Sequence, residues 1–351
     1  MGGSRALVLG ATGQIGRAAV CALAEDGWEV TAASRSGGAG AGWPEGVTAA
    51  AVDRDEEGAL ERAVGDGCEL LLDVTAMTHA HARQIAGLAD LLGSAVVLSS
   101  GAVYEDDNGR SFATMADPDG APRFPVPIPE TYRTVPPGRD EYGSRKVLIE
   151  NELTSLGDRL PVTLLRAGAV HGPWSRTPRE LHFVKRWLDG RRVRVLAHRG
   201  ESRFHPVHVD NIAELVRLAA RQPATRVLNA ADPEAPTVAR IAELHDEVLG
   251  WECRTVLLDG APPEDAPTVG RTPWSLPHPL VLDMAAAERE LGYRPVTTYE
   301  QALPQTVDWL LGQIRGRDWR EALPEMAAAY DPKGDLFDYA AEDRRLAENQ
   351  R

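Results

Sequence analysis

The chain has 351 residues, long enough for one large α/β domain or two smaller ones with a sizeable core. Its 43% apolar and 26% charged residues are ordinary for a soluble globular protein, and no apolar run reaches the roughly 18–20 residues that span a bilayer. A net charge of −14 argues against general affinity for nucleic acid or an anionic membrane surface. Cys21, Cys68 and Cys253 are odd in number, far apart and in no CxxC spacing, so neither a disulfide framework nor a metal site is expected. The segment MGGSRALVLG runs into a strand-like stretch with no apolar leader or cleavage site, and a cytoplasmic protein is expected.

Arg5–Gly10 is a short apolar run stopping at glycine, and GATGQIG follows from Gly10 to Gly16. An amphipathic stretch, Gln14–Asp26, comes next. The alternation continues: strands at Trp28–Ser34 and Val47–Asp53, a helix at Glu56–Val64, a strand at Glu69–Thr75, a helix at His79–Leu92, and a strand at Ala95–Ser100. This pattern predicts a parallel, doubly wound sheet of Rossmann type with helices on both faces.

Ligands of such sheets bind beyond the carboxyl ends of the strands, so Gly10, Thr12, Gly13, Gln14, Ile15 and Gly16 stand where a pyrophosphate would. Glycine lets the backbone approach the phosphates, and the helix N-terminus offers N–H groups and the positive end of its dipole. The second strand ends in Ser34-Arg35-Ser36, with no carboxylate to take ribose hydroxyls. An arginine there accommodates a 2′-phosphate, so NADP is the expected cofactor, with NAD the alternative. Asp53 is placed either to hold the adenine amino group or to cap the next helix.

Tyr142-Gly-Ser-Arg-Lys146 puts a phenol and an ammonium one helical turn apart, on the same face of a predicted helix over Asp140–Ser155. A free tyrosine, with a pKa of about 10, is a poor proton donor at neutral pH. A cation beside it lowers that value toward the range useful for general acid–base catalysis. The stretch between this helix and Ser100 holds a long segment, residues 105–139, rich in Pro, Gly, Asp and Arg. Its length suggests a functional loop, read as a cover over the substrate side, with a passive insertion as the alternative.

GATGQIG, LSSGAVY (Leu98–Tyr104), YGSRK, LLRAGAVHGP (Leu164–Pro173) and HPVHVDNIA (His205–Ala213), in that order, resemble the extended short-chain dehydrogenase/reductases, the group known as NAD-dependent epimerases/dehydratases. The likeness covers roughly residues 5–312. It implies that Tyr142 is the general acid/base and that Lys146 binds the nicotinamide ribose and lowers the tyrosine pKa. It also implies that Ser100 hydrogen-bonds the reacting oxygen, with Ser99 as its neighbour. Hydride exchange at a carbon requires proton exchange at its oxygen, and a hydroxyl and a phenol would hold that oxygen from two sides.

There are departures. Nucleotide-sugar enzymes of this group commonly carry an asparagine where Ala169 stands, and an Arg-Asp pair where Phe204 and His205 stand; Arg203 lies one place off. Ser100-Gly101-Ala102 replaces the Thr-Asp-Glu of sugar 4,6-dehydratases.

Further on, Leu160–Arg166 reads as a strand, Pro178–Asp189 as a helix, Arg192–Leu196 as a strand and Asp210–Ala220 as a helix. The expected organisation is a Rossmann domain over 1–172, a mainly substrate-binding lobe over 173–316 with segments returning to the sheet, and an extension over 317–351. The extension would pack on its own lobe or on a partner subunit. His171, Trp174, Arg176, Arg203, His205 and Ser99 are the substrate candidates, in a cleft between lobes.

The main reading is an NADP-dependent oxidoreductase reducing a ketone, or oxidising the matching alcohol, of a polar small molecule. The alternatives are a sugar or nucleotide-sugar epimerase with tightly bound NAD(P), and a non-catalytic RNA-associated or regulatory relative. No nucleic-acid or membrane partner is expected, and family members suggest a homodimer.

Overall fold

The computed structural model describes residues 3–348, apart from 39, 41, 116, 118 and 331–334. In chain order the elements are β1 (Arg5–Leu9), α1 (Gln14–Glu25), β2 (Glu29–Ser34), β3 (Thr48–Ala51), α2 (Ala59–Val64), β4 (Leu70–Asp73), α3 (His79–Gly87), β5 (Ala95–Ser100), α4 (Tyr142–Thr154), β6 (Val162–Ala167) and β7 (Ala169–His171). There follow α5 (Leu181–Leu188), β8 (Val193–Leu196), β9 (Pro206–His208), α6 (Val209–Arg221), β10 (Arg226–Ala230), α7 (Val238–Leu249) and β11 (Arg254–Leu257). The chain closes with α8 (Ala285–Leu291), α9 (Tyr299–Ile314), α10 (Trp319–Ala322), α11 (Pro324–Tyr330) and α12 (Tyr339–Glu348). None of the described helices is long and apolar enough to cross a membrane.

Two compact units divide these elements. The first holds 1–170, 207–233 and 282–297; the second holds 171–206, 234–281 and 298–351.

In the first unit seven strands form one sheet in the order β3-β2-β1-β4-β5-β6-β10, every pairing parallel. Strand order reverses between β1 and β4, the point at which a doubly wound sheet opens a crevice. Apart from the edge strand β3, the strands are largely buried on both faces, which is why they read as continuous apolar runs. Alternation then sorts their side chains. Ala6, Val8, Leu70, Leu72, Val96 and Leu98 pack with α1 and α6 on one face, and Leu7, Leu9, Leu71, Val97 and Leu164 pack with α3 and α4 on the other. In α1 the buried residues Gly16, Ala19, Val20 and Leu23 follow a helical stripe against that first face.

The predicted elements differ from the observed ones mainly at their ends. The third strand is four residues rather than seven, because β3 is an edge strand with one neighbour. Helix α2 starts after Gly58 rather than at Glu56, and α3 gives way after Gly87 to a 3₁₀ turn at Ala89–Leu91.

The second unit is built on α5, α7 and α9 around Leu181, Phe183, Leu196, Ile241, Trp274, Leu303 and Leu310. A Thr237 cap and a left-handed Gly250 bound α7, and a Thr298/Gln301 capping box starts α9. The C-terminal extension belongs to this unit's own core: Trp319, Leu323, Met326 and Leu336 are all buried in it. Arg186 of α5 makes a bidentate ion pair with Glu342 of α12 at 2.9 and 2.7 Å, both side chains about 3% exposed. The Tyr339 ring lies against Arg186 and Arg191, and its hydroxyl donates to Asp189 at 2.6 Å.

Candidate active site

The glycine turn follows β1 directly, with Gly13 as the N-cap of α1 and no side chain closing that cap. A Cβ on Gly16 would lie 2.2 Å from the Gly10 carbonyl oxygen, so only glycine permits this coil of backbone. The tight turn presents the start of α1 at the carboxyl edge of the sheet, and the glycine cradle fits a pyrophosphate. Thr12 accepts from Arg17 through its carbonyl at 2.9 Å, Ile15 packs into the core, and Gln14 opens the helix.

At the end of β2, Arg35 and Ser36 are exposed while Ser34 is buried. The Ser34 hydroxyl accepts from Gly37 N at 3.2 Å and lies 3.4 Å from Ser36 Oγ, which ties the turn that displays Arg35. Asp53 does not cap α2. It is exposed and accepts from Asp55 N at 3.1 Å, while Gly58 occupies the cap, so of its two expected roles only the adenine contact remains open.

Ser100 ends β5, and its Oγ accepts from Ala102 N at 3.1 Å. Tyr142 opens α4 and is 40% exposed, with the Ser100 side chain near enough to act on its phenol. Despite that exposure, packing around the phenol raises its pKa above the ordinary value, while Ser100 and the Arg145 cation pull it down. Lys146 is not among the groups that pull it down. Lys146 Nζ sits 5.8 Å from the ring centroid and donates to two backbone carbonyls, Ala76 O at 2.6 Å and Leu98 O at 2.8 Å. The lysine is 4% exposed, and burial brings its own pKa down to about 8, with Asp73 and Glu150 resisting and Arg54 assisting.

Beneath them lies a polar network that sequence reasoning missed. Ser99 points to the α4 side of the sheet and donates to Glu150 Oε1 at 2.5 Å, which takes it out of the substrate candidates. Arg166 of β6 forks onto the same carboxylate at 3.1 and 2.7 Å, and also donates to Glu130 O at 2.9 Å. Tyr104 donates to Asn229 of β10 at 2.6 Å, under the Arg166 guanidinium. Glu150 lies one turn beyond Lys146, a spacing that could have flagged it. Its partners, 16 and 51 residues away in sequence, could not be read locally.

The 105–139 segment folds onto its own unit. Tyr104 bridges Thr134, Ile128 bridges Leu282, and buried Asp106 accepts from the backbone of Asn108, Arg110 and Arg123. Those three N–H bonds hold the Asp106 carboxyl below its usual range against the cost of burial. Ser144 of α4 donates to Pro136 O at 2.7 Å and accepts from Arg139 N at 2.8 Å, so the end of the segment sets where α4 begins.

The remaining candidates belong to the second unit. His171 is buried, its ring 4.7 Å from that of Tyr299. Trp174 is 43% exposed in a left-handed backbone (φ 66°), its ring 6.4 Å from Trp309. Arg176 is exposed and paired with Glu325 at 3.5 Å; exposed Arg203 donates to Ala235 O at 3.4 Å. His205 is buried, its N–H bonded to Leu280 O at 2.9 Å. Ala169 is buried and offers no polar side chain.

The family model described as NAD dependent epimerase/dehydratase matches residues 6–231. The chain belongs to this family. It is an enzyme of the short-chain dehydrogenase/reductase type, and its cofactor class is the nicotinamide dinucleotides. Solved structures of epimerase/dehydratase relatives share the fold. A UDP-N-acetylglucosamine 4-epimerase from Methanobrevibacter ruminantium, in complex with UDP-N-acetylmuramic acid, is 20% identical over 90% of this chain and 100% of its own, with a TM-score of 0.65. A UDP-glucose 4-epimerase from Thermotoga maritima, with UDP-glucose, is 22% identical over 89% and 100%, TM-score 0.65. A dTDP-glucose 4,6-dehydratase from Bacillus anthracis, in complex with NAD, is 16% identical over 88% and 97%, TM-score 0.62. No curated protein sequence matches the chain.

Proposed function

We propose that this member of the epimerase/dehydratase family is a nicotinamide-dependent sugar or nucleotide-sugar epimerase, rather than the net ketone reductase favoured by sequence reasoning. The observation that carries the proposal is the meeting of Ser100, Tyr142 and Lys146 at the carboxyl edge of the same sheet that carries the glycine turn. The family match and the epimerases of the same fold support it.

When bound, a nicotinamide dinucleotide would supply a hydride acceptor able to return the hydride. Gly10, Gly13 and Gly16 would admit its pyrophosphate and Lys146 its nicotinamide ribose. Arg35, exposed beside Ser36, would take a 2′-phosphate, which makes NADP the preferred form. Ser100 would hold the reacting substrate oxygen by a hydrogen bond. Tyr142 in its phenolate form would take the proton of the sugar hydroxyl as its carbon is oxidised to a ketone, and the phenol so formed would return it as the carbon is reduced from the other face. The net result is inversion at one carbon with no change in cofactor oxidation state.

Water elimination of the 4,6-dehydratase kind is not part of the proposal, because Gly101 and Ala102 offer no acid or base next to Ser100. With Ala169 in place of an asparagine, the sugar contacts must come from other side chains, and Trp174, Arg176, Arg203, His171 and His205 are the candidates.

The test is turnover of UDP- and dTDP-hexoses with NADP⁺ or NAD⁺. Epimer formation without net absorbance change at the nicotinamide band supports the proposal; stoichiometric NADPH consumption with a ketone would replace it with the reductase reading.

A further inference from the structure

Lys146 spends two of its three N–H donors on backbone carbonyls, so its position is set by whatever sets those carbonyls. Leu98 O belongs to a central strand and is fixed by the sheet. Ala76 O lies in the turn after β4, outside any ladder, and that turn is held by side chains.

Asp73, the last residue of β4 and 0% exposed, accepts from Thr75 N at 2.7 Å and from Thr75 Oγ1 at 2.9 Å. Arg54, 7% exposed, pairs with the other oxygen of Asp73 and donates to Thr75 Oγ1 at 3.2 Å. The guanidinium is in turn clamped from α3. Its Nε and Nη2 both donate to Gln84 Oε1, at 3.2 and 3.1 Å, and Nη2 also donates to His81 O at 3.3 Å. Gln84 Nε2 returns a bond to the Arg54 carbonyl at 2.7 Å. A buried ion pair this completely hydrogen-bonded fixes one geometry.

We propose that the Arg54–Asp73 pair is a positioning device for Lys146, fixing the Val74–Ala76 turn whose carbonyl seats the ammonium. The inference rests on the reading of Lys146 as the cofactor-binding lysine of the active site. The same pair also acts on the lysine's charge. The ionised groups felt at Lys146 are Asp73 from β4 and Glu150 from its own helix, which favour the ammonium, and Arg54, which opposes it. Arg54 and Asp73 therefore act on the charge of Lys146 with opposite signs, while the loosened seat is read separately, in dinucleotide affinity.

Lys146, Lys185 and Lys333 are the only lysines in the sequence, so [ε-¹³C]lysine labelling gives three side-chain resonances, assigned by Lys185→Arg and Lys333→Arg. In the wild type the Lys146 midpoint is expected near 8. Asp73→Asn keeps the shape but removes the negative charge, so the midpoint falls by roughly half a unit or more; Arg54→Met removes the opposing cation, so it rises by a similar amount. Both variants weaken NADP⁺ binding, read by tryptophan fluorescence, about tenfold or more as the seat of the ammonium loosens.

A Lys146 midpoint that stays put, or moves the same way, in both variants overturns the proposal. If Arg54→Met does not fold, an unmoved midpoint in Asp73→Asn suffices to do so. Midpoints that move in opposite directions in a protein that binds neither NADP⁺ nor NAD⁺ support the clamp while removing the nicotinamide reading, so the two failures are distinguishable.

Discussion

Gly143 lies against the backbone of Ala102: a Cβ at Gly143 would stand 2.3 Å from the Ala102 carbonyl oxygen. The glycine between Tyr142 and Ser144 is thus what lets α4 approach the turn after β5 closely enough for the phenol to reach Ser100. Gly143→Ala must push the helix away, because a backbone oxygen cannot yield as a flexible side chain would. The expected outcome is a loss in kcat of about 100-fold with a folded protein. Activity assay and circular dichroism check it; full activity would mean the close approach is not needed.

Arg35→Ala should weaken NADP⁺ about 10- to 100-fold and leave NAD⁺ within about twofold, since a charged, bidentate phosphate contact contributes roughly 1.5–3 kcal/mol. Titration calorimetry with each dinucleotide decides. Equal losses for both would show that Arg35 does not touch the 2′-phosphate.

The core of the second unit contains His182 and His245, both essentially inaccessible. His245 Nδ1–H donates to Ile241 O at 2.7 Å, and its Nε2 has no partner. Burial lowers the His245 pKa from 6.5 to about 4, and burial with nearby Arg186 lowers His182 as well. The unfolded chain therefore binds more protons than the folded one between pH 6.5 and about 4, so stability falls as pH drops through that window. Between pH 7 and pH 5, His245→Asn should remove a pH-dependent loss on the order of 2 kcal/mol. Denaturant midpoints at pH 7 and pH 5 measure it; an unchanged slope in the variant would reject the assignment.

Removing one partner of a buried ion pair strands the other. Glu342→Ala leaves Arg186 buried without its fork and should cost about 3–5 kcal/mol. Arg345→Ala, which breaks the exposed pair with Glu348, should cost less than about 0.5 kcal/mol. Chemical denaturation distinguishes them, and equal effects would contradict the view that α12 is part of the second unit's core.

The architecture was legible in the sequence because parallel strands buried on both faces leave apolar runs, punctuated by glycine turns and amphipathic helices. Gly16, Ser100, Tyr142 and Lys146 were legible because their chemistry is confined to short spacings. What lies past Arg221 carried weaker signals: β10 is a five-residue strand in a mixed sequence, and α9 holds Pro304, a residue that reads as a break. The supports of Lys146 were beyond reach for another reason. Arg54 meets Asp73 and Gln84 across 19 and 30 residues, and nothing in VDRDE or LLLDV announces the meeting. The raised phenol pKa was not legible because it comes from burial around the ring, which the one-turn Tyr–Lys spacing does not report.

The central claim is that Tyr142 moves the proton in a reaction that returns its hydride. The most direct measurement follows wild type and Tyr142→Phe with NADP⁺ or NAD⁺ and UDP-hexoses, reading epimer by chromatography and reduced nicotinamide by absorbance. Wild type is expected to form epimer with no net absorbance change. Tyr142→Phe is expected to lose at least about 100-fold in turnover with dinucleotide affinity unchanged. Full turnover by Tyr142→Phe, or reduced nicotinamide accumulating in step with product, would contradict it.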